Sequence, residues 1–312
     1  MKTSVALVYD AQDIVGESIV WAPEEKALYW VDIGGKRIHR LEPQNGHHDV
    51  WLAPDFVTSI GMRTDGGFIV GLRRTVCLWT PGNAFETFAM PEERLPGNRL
   101  NEGRVAPDGS FWVATMQDNL NDDGSPKAMD RNSGAVYRID PSGSVKQLTP
   151  NAYGISNTMA WTNDNRFLFA DTIANEIYAF NYDPAAQAIA NRRTIVSEFD
   201  RGLPDGSCLD ANDTLWNCRV VGGASVANFD SEGRLIALID LPASWPTSCT
   251  FGGEDLFTLY VTSARFTMTA GHLAAHPQEG GLFAVETGAR GVPEPRFGVK
   301  PAKSTVVSEN SR

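Results

Sequence analysis

The chain has 312 residues, of which 42% are hydrophobic, 10% aromatic and 21% charged, with 29 glycines and 18 prolines, the profile of a turn-rich folded protein rather than a disordered one. Its 38 acidic and 27 basic side chains leave a net charge of −11, and no run of Lys or Arg could neutralise successive phosphates, so no nucleic-acid partner is expected. No window approaches membrane-spanning length, and the apolar run within MKTSVALVYDAQD is too short for a signal-peptide core; a soluble cytoplasmic protein with no membrane partner is the expectation.

SVALVYD, near the N-terminus, reads as a strand, and a single unit then recurs along the chain. Its copies begin at Ser18 (SIVWAPEEKALYWVDIGGKRIHRLEPQNG), Ser59 (SIGMRTDGGFIVGLRRTVCLWTPGN), Arg104 (RVAPDGSFWVATM), Thr158 (TMAWTNDNRFLFADTIANEIYAFNYDP), Ser207 (SCLDANDTLWNCRVVGGASVANFDSEGRL) and Ser248 (SCTFGGEDLFTLYVTSAR), with GGLFAVETG as a further strand of the last copy. Runs such as LYWVDI, FWVAT, FLFAD and TLYVT are β-branched and aromatic and are bounded by Gly, Asp, Asn and Pro, the pattern of strands closed by turns. AAQAIANRR, from Ala185, is the only helix-like stretch and reads as a loop insertion.

The residues that open the first turn of each copy are Pro23, Thr64, Pro107, Asn163, Ala211 and Gly253, spaced by 41, 43, 56, 48 and 42 residues. Such intervals hold about four short strands. Six units of four antiparallel strands set radially make a six-bladed β-propeller, an all-β fold occupying residues 1–312 as a single domain, with SVALVYD pairing onto the last blade. The competing reading is a set of β-sandwich domains with coincident turn spacing. Cys77, Cys208, Cys218 and Cys249 lack CxxC spacing and read as reduced core residues, with Cys208–Cys218 as the one contact considered.

Six residues before each anchor stand Glu17, Thr58, Asn101, Asn157, Asp205 and Thr247. Strands nearest a propeller axis line its channel, so equivalent positions at their mouths converge, and all six here are polar. Carboxylate and amide oxygens are the donors a hard or borderline divalent cation takes. Glu17, Asn157 and Asp205 could therefore fix a metal ion and leave positions open for water and substrate. The plainer alternative is that these are turn residues selected for backbone reasons. Arg99 lies two residues before Asn101, on the same side of an extended strand; it either holds a polar substrate or pairs with a nearby carboxylate. Glu102 points the other way and reads as a supporting acid. The five histidines show no HExxH or triad spacing, and GGAS and FGGED lack the strand-to-helix setting of a phosphate loop.

In the segments GESIVWAPEEKALYWVDI, RLNEGRVAPDGSFWVATM, ISNTMAWTNDNRFLFADT, LPDGSCLDANDTLWN and PTSCTFGGEDLFTLYVTSAR, the chain resembles the regucalcin, senescence-marker-protein and gluconolactonase family of six-bladed propellers. The resemblance implies one divalent cation (Ca, Zn, Mn, Mg or Fe) held by Glu17, Asn157 and Asp205, with Arg99 and Asn101 contacting sugar hydroxyls. It further implies metal-dependent hydrolysis of a small-molecule sugar lactone to the aldonic acid in carbohydrate catabolism, by a monomer or homodimer. Asp205 is the candidate catalytic residue, assisting deprotonation of the attacking water. The alternatives are a phosphotriesterase-like or other ester hydrolase on the same propeller, and a non-catalytic calcium-binding regulatory protein. Two departures stand out: Asn119 occupies the place where relatives such as regucalcin carry a substrate-contacting Glu, and the Asn157 segment reads ISNT where PNG is commoner. Arg131 is one of several possible lid residues.

Overall fold

The structure is a computed structural model and describes residues 4–298. Its strands form six four-stranded antiparallel sheets, five of them from consecutive strands. The sixth is closed by the N-terminal strand Val5–Tyr9, which pairs with Leu282–Glu286 through Val5 opposite Val285 and Ala6 opposite Ala284. Joining the first strand to the last sheet turns an open array into a ring.

The innermost strands are Gly16–Ala22, Val57–Met62, Asn98–Val105, Ser156–Trp161, Leu203–Leu209 and Pro246–Gly252, and each touches the innermost strands of the blades on either side. These and the second strands are buried almost throughout, whereas an outer strand such as Val145–Gln147 is fully exposed. The reason is architectural, because both faces of the inner half of each blade are covered by neighbouring blades. Continuous apolar runs there follow from two-sided burial, as in parallel sheets.

Six apolar clusters fill the spaces between adjacent blades. Trp112 anchors the one between blades three and four, edge-on to Trp161 at 5.1 Å and 4.8 Å from Phe167, with its indole N–H satisfied by Ser110 Oγ at 2.9 Å. Aromatic rings supply the volume and the preferred tilted contacts such wedge-shaped spaces need.

Three local expectations are corrected. The helix-like stretch from Ala185 is a turn followed by the outermost strand of blade four, Ala188–Ser197, because Tyr178, Ala179 and Asn181 offer it a ladder and edge pairing overrides helix propensity. Among the described residues the one helix is Ala270–Ala275, N-capped by Thr269, in the loop between the last two strands of the chain. Cys208 meets Cys249 across the space between blades five and six, Sγ to Sγ 3.6 Å, and all four cysteines are buried and free. No helix among the described residues is long and apolar enough to cross a membrane.

All six innermost strands break register at the same place. The irregularities lie at Glu17/Val20, Val57/Ser59, Leu100/Gly103, Asn157/Met159, Pro204/Ser207 and Pro246/Cys249. Bulges re-aim side chains and cluster near functional sites. Here they act on the six positions picked out by the repeat.

Candidate active site at the channel mouth

A cavity of about 280 Å³ opens at one end of the channel, and Glu17, Arg99, Asn101, Asn157, Asp205 and Thr247 all line it. The sixth equivalent position, Thr58, is buried, with its hydroxyl on Gly71 O. Glu17 comes from blade one, Arg99 and Asn101 from blade three, Asn157 from blade four and Asp205 from blade five. Each is at least nine-tenths buried.

Hydrogen bonds fix these groups in sequence around the ring. Arg99 Nη1 donates to Asn101 Oδ1 at 2.7 Å and its Nε to Asn119 Oδ1 at 2.9 Å. Asn101 Nδ2 donates to Asn157 Oδ1 at 3.2 Å and to Ser156 O at 3.0 Å. Asn157 Nδ2 donates to Thr172 Oγ1 at 2.9 Å, so its amide oxygen is the atom turned toward Asn101. The backbone carbonyl of Asp205 receives Thr158 Oγ1 at 2.6 Å and Asn217 Nδ2 at 3.1 Å, so its strand is held from two sides. Gly206 lets the same strand lie close to blade six, since a Cβ there would stand 2.8 Å from Thr247 O.

Backbone strain concentrates at the same place. Three β-branched residues among those described have left-handed φ: Thr158 (52°), directly after Asn157, and Val221 (47°) and Thr267 (61°), which both line the cavity. Such conformations are costly for β-branched side chains and persist where surrounding structure over-determines them, often at functional sites.

The electrostatics are dominated by acids out of water. Burial first, and the charge of Glu102 next, push the Glu17 carboxyl up to about 8. Burial, then the charges of Glu17 and Glu102, push Asp205 upward as well. Burial raises Glu102 too, although Arg104 opposes it; its carboxylate accepts from Gly103 N at 3.0 Å. Burial lowers Arg99 to about 10. Neighbouring carboxylates that share a dry site favour one proton between them.

This donor set fits a divalent cation. Two buried acids share the site, no cationic side chain among the described residues hydrogen-bonds to either, and the Asn157 amide, its nitrogen tied to Thr172, has its oxygen left to serve as a ligand. A cation's charge would relieve the repulsion that raises both acids. Among the described residues no three His, Cys, Asp or Glu side chains cluster as a metal centre. Glu17, Asp205 and the Asn157 oxygen make a leaner set, with only two carboxylates.

Repeat register therefore brought together the expected residues, with Arg99 and Asn101 on one side as the strand geometry requires. Glu102 is not among the residues that line the cavity, although its charge acts on Glu17 and Asp205, and Arg131 is an exposed residue held to Asp130 and Gly97 O, likewise not among the lining residues. The rim was missed: Ile33, Ile173 and Val221 close the second strands of blades one, four and five, and Trp245 and Phe266 come from loops of blade six. Ile33, Ile173 and Val221 follow Glu17, Asn157 and Asp205 at equal spacing, so the same register would have found them. The long loops between second and third strands, 118–135 of blade three and 264–281 of blade six, both reach the cavity, through Asn119 and Leu120 and through Phe266 and Thr267, and neither carries a repeated signal.

Comparison with known proteins agrees with the fold and the repeat. The family model for the SMP-30/gluconolactonase/LRE-like region matches residues 15–265. The chain is 33% identical over 302 residues to the 6-deoxy-6-sulfogluconolactonase of Pseudomonas putida, covering 95% of this chain and 99% of that protein. It is 32% identical over 304 residues to a pentonolactonase of Haloferax volcanii, with 95% and 99% covered. A calcium-binding protein of known structure, the regucalcin of Agrobacterium tumefaciens, superposes with a TM-score of 0.87 at 25% identity, covering 95% of this chain and 98% of its own. The ring of six blades, the polar positions at one channel mouth and the match across most of the chain have one common explanation: this protein belongs to the SMP-30/gluconolactonase/LRE-like family.

Proposed function

We infer that the chain hydrolyses the internal ester of a sugar lactone to the open aldonic acid, and that the reaction needs a divalent cation held by Glu17, Asn157 and Asp205. The observation that carries this reading is the convergence of two buried carboxylates, two linked amides and a buried arginine, from four blades, on one cavity. The names of two relatives, a sulfogluconolactonase and a pentonolactonase, support the ester class.

When bound, a divalent cation supplies Lewis-acid polarisation of an ester carbonyl and a more acidic water. Arg99 and Asn101 orient the sugar, an effect worth several kcal/mol when reacting groups are well placed. Asp205 accepts the proton of the attacking water as its oxygen bonds to the carbonyl carbon. The bond from that carbon to the ring oxygen then breaks, the ring oxygen takes up a proton, and the product is a hydroxy acid. Apolar Ile33, Ile155 and Leu203 among the lining residues limit water at the site.

The test is proton release from a panel of aldonolactones, corrected for spontaneous hydrolysis, before chelation, after it and after metal is restored. Turnover that disappears with chelation and returns with one cation supports the reading. Silence on every lactone with metal bound, together with turnover of a phosphotriester or another ester, would replace it.

A further inference from the structure

Resting on the lactonase reading, we propose that the substrate carries an anionic group besides its lactone ring, a carboxylate, sulfonate or phosphate on the part of the sugar beyond the ring, and that Arg99 recognises it. The observation is the way this guanidinium is partnered. Other buried or half-buried arginines face a carboxylate: Arg73 reaches Asp118 at 2.8 Å, Arg138 reaches Asp108 at 3.1 Å and Arg104 reaches Glu294 at 3.4 Å. Arg99 instead donates only to neutral oxygens, those of Asn119, Asn101 and Leu100. Its Nη2 has no partner among the described residues and is not one of the buried atoms sealed without one, so it is open to the cavity.

Arg219 is the informative contrast. It too has neutral partners, but all three nitrogens are used, with Nη2 on both Asn175 Oδ1 and Gly202 O. That arginine is a closed structural tie, whereas Arg99 keeps one edge of its fork free at a substrate-sized cavity. A neutral hydroxyl could satisfy the free N–H but would leave the charge uncompensated in a site nearly out of water. The acids that act on Arg99 from a distance do not fill the gap, because Asp118 is engaged by Arg73 and Glu17 by the carboxylate cluster. Guanidinium forks match oxyanions in shape and charge.

Asn119 sets this preference. Its amide oxygen orients Nε without neutralising the guanidinium. A carboxylate at the same place would pair with Arg99 and repel an incoming anion.

The experiment compares kcat/KM for a neutral aldonolactone, an aldarolactone of the same ring size with a terminal carboxylate, and a phosphorylated aldonolactone. Wild-type protein should favour an anionic member by about tenfold or more, through KM, with the preference shrinking as salt rises. The anionic lactone that gains most identifies the group. Arg99→Gln should abolish the preference, Arg99→Lys should keep part of it, and Asn119→Glu should reverse it toward the neutral lactone. Calorimetric binding of the open-chain aldarate and aldonate gives a readout that does not need turnover and also covers a variant too inactive to assay. Lactone hydrolysis with no anion preference, unchanged in Asn119→Glu, overturns this inference and leaves the lactonase reading intact. Tighter aldarate binding, lost in Arg99→Gln, with no lactone hydrolysed, does the reverse. Equal binding of both acids with no hydrolysis removes both.

Discussion

Glu17 and Asp205, presented by blades one and five, are both buried and line the same cavity at the channel mouth, where the Glu17 charge pushes Asp205 upward. Two strands far apart in sequence thus bring two acids to one buried site. The ring must be held closed by burial elsewhere for that arrangement to persist.

The first prediction concerns pH and the cation. Because burial and the Glu102 charge raise Glu17 from its ordinary 4.5 to about 8, the folded protein without metal holds a proton that the unfolded chain has released. The contribution of Glu17 to the stability of the chelated protein should therefore be fully present at and below about pH 4.5 and be lost as pH rises through about 8. A divalent cation should restore stability most at the alkaline end, with proton release on binding below pH 8. Thermal unfolding against pH, with and without chelator, measures this; a cation effect that does not grow with pH would mean the pair is not what it binds.

Replacing Asp205 separates ligand from base. Asp205→Asn should lower kcat by about a hundredfold or more if the carboxylate moves the water proton, and should also weaken metal binding. Arg99→Ala should raise KM with metal content intact. Full turnover by Asp205→Asn with metal still bound would remove the base role, and metal loss in Arg99→Ala would make that residue structural.

Val221 offers a test of strain. It is β-branched, has a φ of 47° and is half exposed at the rim. Val221→Asn should stabilise the fold by about 1 kcal/mol, because asparagine tolerates the left-handed region that valine resists. Differential scanning calorimetry decides, and a lower Tm would show that packing of the valine outweighs its backbone cost.

His48 should make ring closure acid-sensitive. It links the closing strand to blade one, with Tyr9 OH at 3.0 Å from Nδ1 and His39 Nδ1 at 3.0 Å from Nε2. Burial, then the His39 charge, push its imidazole from 6.5 down to about 4. The folded state thus resists a proton that the unfolded chain accepts, so stability present above pH 6.5 is lost as pH falls toward 4. Allowing for solvent around a half-buried ring, the loss is about 1–2 kcal/mol. The difference in Tm between pH 7 and pH 4.5 should be smaller in His48→Gln than in wild type; equal acid sensitivity would assign it to other groups.

The repeat made the blades, their number and the channel-mouth positions readable, since each copy encodes the same alternation of apolar strand and polar turn. Glu17, Asn101, Asn157 and Asp205 were legible because equivalent positions in a closed ring must face one axis. The strand Ala188–Ser197 was not, because its polar, alanine-containing sequence prefers helix until the edge of blade four offers it hydrogen bonds.

What the sequence determined by itself, then, is everything that follows from local period and its repetition: strands, turns, six blades and a register of polar groups. Only the tertiary structure decided how those groups meet. The meeting of Glu17 and Asp205 at one cavity, the link from Asn101 to Asn157, the neutral partners of Arg99 and the pairing of Cys208 with Cys249 all join different blades or loops. Their geometry depends on how tightly six wedge-shaped cores bring the strands together, which no single copy of the repeat specifies.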